Sequence, residues 1–148
     1  MLKIMMASLL IFSTLSANQN SIKEQKIEIL KKLNSSLNSG DTDKIYDLYK
    51  KLALIYTKNG EYYKSIEYYK LAIKLYLSTK KPNDRVKVNL YKDLAYCYRK
   101  IGNTFKSFKY TYKAEQLANK TYGRNSQVAK ILKKEITDIQ SRLIAASI

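Results

Sequence analysis

The 148 residues include no histidine, no tryptophan, one cysteine and one proline. Without histidine the usual base near neutral pH is missing, and with it histidine-dependent triads and imidazole metal sites. One cysteine, Cys97, can form neither an internal disulfide nor a thiolate zinc site. Its position between Tyr96 and Tyr98 on an apolar helical stretch predicts a buried, unreactive thiol. Four glycines are too few for a phosphate-cradling loop, and neither the Walker nor the dinucleotide fingerprint occurs. Asp47, Asp93, Glu135 and Asp138 are the acids that could pair for acid–base work. Nothing in their spacing separates them from ordinary helix-surface charges. The expectation is a protein that is not an enzyme and carries no cofactor or metal.

Acidic residues are scarce as well. Twelve Asp+Glu stand against 28 Lys+Arg, a net charge of +16. That balance points to an acidic partner, an anionic surface or nucleic acid. A compositional bias toward lysine, asparagine, isoleucine and tyrosine would produce the same excess. Lysine far outnumbers arginine, which suits a solvated surface better than forked phosphate or guanine recognition.

One long apolar run exists. Met1-Leu2-Lys3 is a short positive start, Ile4 to Leu15 is mostly apolar, and Ser16-Ala17 offers small residues for cleavage. This is the layout of a secretory signal peptide over 1–17, and predicts export to the periplasm or medium. The run falls short of the roughly 20 residues of a transmembrane helix. An uncleaved inner-membrane anchor over 4–15 is the alternative, and only then would the membrane be a partner. No cysteine follows the run to carry a lipid.

What the sequence does have is a repeat. Tyr49 to Leu75 returns as Tyr91 to Leu117, an offset of 42 residues set by Leu52-Ala53 and Leu94-Ala95. Tyr56, Gly60, Ser65, Tyr68 and Ala72 match Tyr98, Gly102, Ser107, Tyr110 and Ala114. A fixed period of this length is the signature of a stacked array. Within each copy, Tyr49, Leu52, Ala53 and Tyr56 recur at helical spacing, as do Ser65, Tyr69, Ala72 and Tyr76. Gly60 and Gly102 follow lysine-bearing last turns and predict left-handed stops. Each copy therefore reads as two helices joined by a tight turn.

Flanking segments extend the array. Ser21-Ile22-Lys23-Glu24 has the form of a capping box and predicts a helix over 21–38 through Ile22, Ile27, Leu30, Leu33 and Leu37. In the 42-residue register Ile27 and Leu30 precede Tyr69 and Ala72, as the second helix of a decayed repeat would. Asp41 and Asp43 place acid at the start of the next helix. Pro82 marks a turn, after which Asn83 or Asp84 can cap. Ser126 can cap a last helix through Val128, Ile131, Ile136, Ile139 and Leu143. Lys133 and Gln140 there replace Tyr91 and Tyr98, as suits a terminal helix that meets water. The expected fold is all-α: one domain over 18–148, an α-solenoid of stacked antiparallel helix pairs. It comprises a cap at 21–38, repeats at 43–78 and 84–121, and a cap at 126–146.

These residues resemble the tetratricopeptide repeats. The aromatic, Leu-Ala, Tyr, Gly and small-residue pattern of that family is met by Tyr49, Leu52-Ala53, Tyr56, Gly60, Tyr62, Ser65, Tyr69 and Ala72. The second copy supplies Tyr91, Leu94-Ala95, Tyr98, Gly102, Ser107 and Ala114, with Thr111 where an aromatic is usual. The longer period is similar to that of kinesin light chain repeats, as is Lys120-Thr121-Tyr122-Gly123 followed by Val128-Ala129. The resemblance implies that the first helices of successive repeats line a groove. Mapped by register, the groove positions are Lys50, Lys92 and Lys134; then Leu54, Tyr96 and Asp138; then Lys58, Lys100 and Arg142, with Arg99 beside Tyr96. Two basic rows flanking a mixed floor suit an extended peptide with acidic side chains or a free carboxylate. Leu54, Tyr96 and Asp93 depart from the asparagines of the chaperone-binding carboxylate clamp.

The expected function is thus non-enzymatic capture of a protein segment by a scaffold module. One alternative is a nucleic-acid or anionic-surface binder, whose affinity would fall steeply with salt. Another is a structural subunit of an envelope complex, or self-association, through the apolar end from Ile139 to Ile148. All 14 tyrosines lie between Tyr46 and Tyr122, mostly at packing positions; Tyr63, Tyr96 and Tyr112 fit that pattern least.

Overall fold

Local signals set where each helix stops and starts. The computed structural model describes residues 2–79 and 83–146, with side chains described from 16 onward. Among the described residues six helices follow one another without a strand: α1 (Leu2–Ser39), α2 (Thr42–Lys58), α3 (Tyr62–Thr79), α4 (Asp84–Lys100), α5 (Thr104–Tyr122) and α6 (Gln127–Ala145). Gly60 and Gly102 take the left-handed conformation, with φ of 77° and 74°. Each lets the next amide reach back five residues: Glu61 N donates to Tyr56 O and Asn103 N to Tyr98 O, both at 2.9 Å. A side chain at either glycine would meet nothing, so the backbone angle alone demands glycine. The starts are capped by side-chain oxygens: Asp41 accepts from Lys44 N, Asn83 from Arg85 N, Asn103 from Lys106 N and Ser126 from Ala129 N.

Each helix packs on its neighbours in the chain, giving an all-α helical-repeat solenoid. The repeat is reproduced in atomic detail. Tyr56 stacks on Tyr68 at 5.4 Å between centroids, and Tyr98 on Tyr110 at 5.5 Å. Lys64 and Lys106 lie 5.3 Å over the rings of Tyr56 and Tyr98. Leu52, Ala53, Ala72, Leu94 and Ala114 are fully buried, the small ones letting paired helices approach closely. Tyr63, Tyr96 and Tyr112 are exposed, as their pattern predicted.

α1 differs from the sequence expectation. The helix runs unbroken from Leu2, so Ser21 is an interior residue and not a cap; no proline or glycine lies upstream to stop it. Its buried or half-buried face is Ile22, Lys26, Ile29, Leu33 and Ser36, whereas Ile27, Leu30 and Leu37 are exposed. Lys26, Ile29, Leu33 and Ser36 occupy the places of Ile66, Tyr69, Ile73 and Tyr76, an offset of 40 rather than 42. The cause is a connection of only Gly40 and Asp41 between α1 and α2, two residues shorter than 80–83 between α3 and α4. The signal-peptide reading rests on residues whose side chains, up to 15, lie outside those described. The ion pair and core contacts that tie α1 to α2 and α3 start at Lys26, beyond the expected cleavage. Pro82, Ser147 and Ile148 also lie outside the described residues.

Both ends of the array are polar where a further helix would pack. On α1 these places hold Gln25, Glu28, Lys32 and Ser35, matching Ser65, Tyr68, Ala72 and Leu75. On α6 they hold Lys130, Lys133, Thr137 and Gln140, matching Val88, Tyr91, Ala95 and Tyr98. All eight are exposed.

Cys97 is buried at the junction of α2, α3 and α4, its Sγ 3.3 Å from Ser65 Oγ and 3.4 Å from Thr57 Oγ1. Ser65 also donates to Ala53 O at 2.8 Å. Its repeat counterpart Ser107 is equally buried, yet its Oγ has no partner among the described residues. A satisfied hydroxyl and an orphaned one should respond oppositely to removal. Ser65→Ala is expected to cost about 1 kcal/mol, and Ser107→Ala to be neutral or stabilising by up to about 1 kcal/mol. Urea unfolding of the two variants checks the contrast.

Glu61 clasps the first three helices. It accepts from Lys26 of α1, Lys64 of α3 and Asn59 in the turn. Lys26, then the other donors, hold its carboxyl down from an ordinary 4.5 to about 2, against the opposing effect of burial. A depressed carboxylate stabilises the fold above its unfolded value, and that contribution is lost as pH falls from about 4.5 toward about 2. After discounting for solvent screening, Glu61→Gln should cost about 1 kcal/mol at pH 7. The difference from the parent should vanish near pH 2, as thermal melts across pH would report.

Candidate functional site

α2, α4 and α6 adjoin along one side of the array. Arg99 of α4 reaches Glu135 of α6 at 3.7 Å, and a cavity of about 330 Å³ opens between α2 and α4. Its walls are Asp47, Lys50, Lys51 and Leu54 of α2 and Asp93 of α4, with Tyr69 of α3 below. Steps of three and four place the α2 residues on one helix face. Alternation of charged heads with Leu54 follows from that spacing. A cleft of about 440 Å³ between α1 and α2, lined by Lys32, Ser35, Ser36, Ser39, Lys44 and Leu48, shares Asp47 and Lys51 with it.

Of the residues expected from sequence, the structure brings Lys50 and Leu54 together in this cavity. Lys50 Nζ also lies 5.2 Å over the Tyr46 ring, whose buried phenol is pushed up to about 12 by desolvation and by nearby Tyr76 and Asp47. Tyr96, Arg99 and Lys100 form a second group. Both cations sit 5.5 Å from the Tyr96 ring, which meets Tyr62 edge-on at 6.3 Å. Lys100 also lines a cleft of about 430 Å³ between the two helix turns, with Gly60, Tyr62, Tyr63 and Ile101. Lys58, Lys92, Lys134 and Arg142 are exposed on their helices. Lysines are exposed on the other side too, at Lys70, Lys74, Lys109 and Lys113.

Sequence reasoning missed Asp47, Lys51, Tyr69 and Asp93 as cavity residues. Asp93 is exposed by surface area, yet it lines the cavity beside Asp47 and Tyr69, which takes some water from around it. That desolvation raises its carboxyl, while Lys92, the Tyr69 hydroxyl and Lys50 oppose the rise. Tyr69 is itself raised, by burial and then by the Asp93 charge. One signal was readable: position 93 is an acid between a lysine at 51 and another acid at 135 in the same register.

No family model and no curated protein matches the chain. Among solved structures, the crystal structure of BtubC (BKLC) from P. vanneervenii is similar. Its TM-score is 0.61 at 17% identity, over 82% of this chain and 50% of that one. The chain spans half the length of that solved structure. The likeness is one of fold.

Proposed function

We propose that this chain is a tetratricopeptide-like binding module that holds an extended, mainly acidic segment of another protein along α2, α4 and α6. The observation that carries this reading is the cavity between α2 and α4, where Lys50, Lys51 and Leu54 offer charge and apolar contact together. Lys92 and Lys134, at the register positions of Lys50, continue the basic row over the next two helices. Rigid stacked helices would hold these groups in place before the ligand arrives, which lowers the entropic cost of capture. The reading is non-enzymatic: lysines steer acidic groups, and Leu54 and Tyr96 give apolar contact.

The test compares the native chain with Lys50→Glu/Lys92→Glu/Lys134→Glu on an array of short acidic peptides. Native retention with loss of at least tenfold in the variant, about 1.4 kcal/mol, is the expected result. Equal retention by both chains rules the basic row out. Binding that salt abolishes for peptide and single-stranded DNA alike would instead favour a bulk-charge binder.

A further inference from the structure

The junction of α4 and α6 shows how this array neutralises an acid on its inner face. Glu135 receives Arg99 from the preceding first helix, at 3.7 Å. One repeat earlier the same two places hold Asp93 on α4 and Thr57 on α2. Thr57 brings no charge. Its hydroxyl turns inward, donating to Ala53 O at 2.9 Å and meeting Ser65 Oγ at 2.6 Å.

A second exchange accompanies the first. Tyr69 stands where the next repeat has Thr111, and it lines the same cavity as Asp93. Asp93 makes no ion pair among the described residues, and it lines the cavity together with Asp47. Lys50 and Lys92 soften its charge from a distance. Leu54 supplies an apolar wall for a methylene stem. The volume, about 330 Å³, lies at the lower end of clefts that hold ligands.

We propose that this cavity receives the guanidinium of an arginine in the bound segment, with Asp93 and Asp47 as its acceptors. The bound arginine takes the place that Arg99 fills beside Glu135. The inference rests on the groove reading above and specifies its ligand: one basic residue set between acidic ones. Acidic flanks are required because a chain of net charge +16 repels a uniformly basic segment. Arginine is preferred over lysine because its planar fork can meet two carboxylates at once.

The experiment uses two labelled peptides, acetyl-Glu-Glu-Leu-Arg-Leu-Glu-Glu-amide and the same sequence with citrulline for arginine. Citrulline keeps the shape and loses the charge. Fluorescence anisotropy with the native chain should show the arginine peptide bound roughly tenfold tighter, the scale of one charge-assisted hydrogen bond. Asp93→Asn should bring the two affinities within about twofold of each other. Equal affinity of the two peptides for the native chain overturns the subsite and leaves the groove standing. A preference that survives both Asp93→Asn and Asp47→Asn also overturns it. Failure of the native chain to bind either peptide overturns the groove and the subsite together.

Discussion

Leu94→Ala is expected to lower stability by roughly 2–5 kcal/mol. Leu94 is fully buried in the cluster formed by Tyr69, Ala72, Tyr76, Leu90 and Cys97, at the centre of the array. Removing its branched end takes away apolar contact and leaves a void that helices pinned on both sides cannot close. Leu52, at the same register position in α2, is equally buried against Leu33, Ile45, Leu48 and Tyr56, and should behave alike. Ile136 in α6 is the third member of the series and only half-buried. Ile136→Ala should cost about 1 kcal/mol. Denaturant unfolding of the three variants checks the order; equal losses would show that α6 is covered on its far side.

Ala114→Leu is the second large effect, through excess volume. Ala114 is fully buried among Val88, Ala118, Ala129 and Leu132, where three alanines let α5 lie close to its neighbours. Added carbons there must push helices apart or force strained rotamers, at a cost of about 1–3 kcal/mol. Ala72, one repeat earlier, should respond in the same direction. The equivalent place on α1 is Lys32, 62% exposed, so Lys32→Leu should stay within about 0.5 kcal/mol. Thermal melts of Ala114→Leu and Lys32→Leu, side by side, separate crowding from the chemistry of leucine itself.

Much of this fold was legible because the signals that carry it are local. Gly60 and Gly102 end helices through their own backbone angles, and Asn83 and Ser126 begin them through their own side chains. The 42-residue match then fixes which helices pair, since Tyr56 with Tyr68 and Tyr98 with Tyr110 stack identically. Ser21 misled because a capping pattern starts a helix only where the preceding chain has stopped being one. The register of α1 slipped because it depends on the length of the turn at Gly40 and Asp41, which the apolar pattern does not encode.

The candidate site was legible only in part. Lys50 and Leu54 follow from spacing along one helix, whereas Asp93 and Tyr69 enter the cavity from two other helices. Tyr69 was assigned to the core, and it is buried; it nevertheless lines the cavity. Packing positions say where a ring goes, not what its polar tip can reach.

The polar outer sides of α1 and α6 bear on how the molecule moves. In a linear stack each unit is steadied only by those beside it, so α1 and α6, whose outer sides are polar and exposed, open most readily. Fluctuations should die away inward, leaving α2 to α5 as the slow-exchanging part of the chain. The cleft between α2 and α4 falls in that quiet interior, so its walls keep their spacing while the ends breathe.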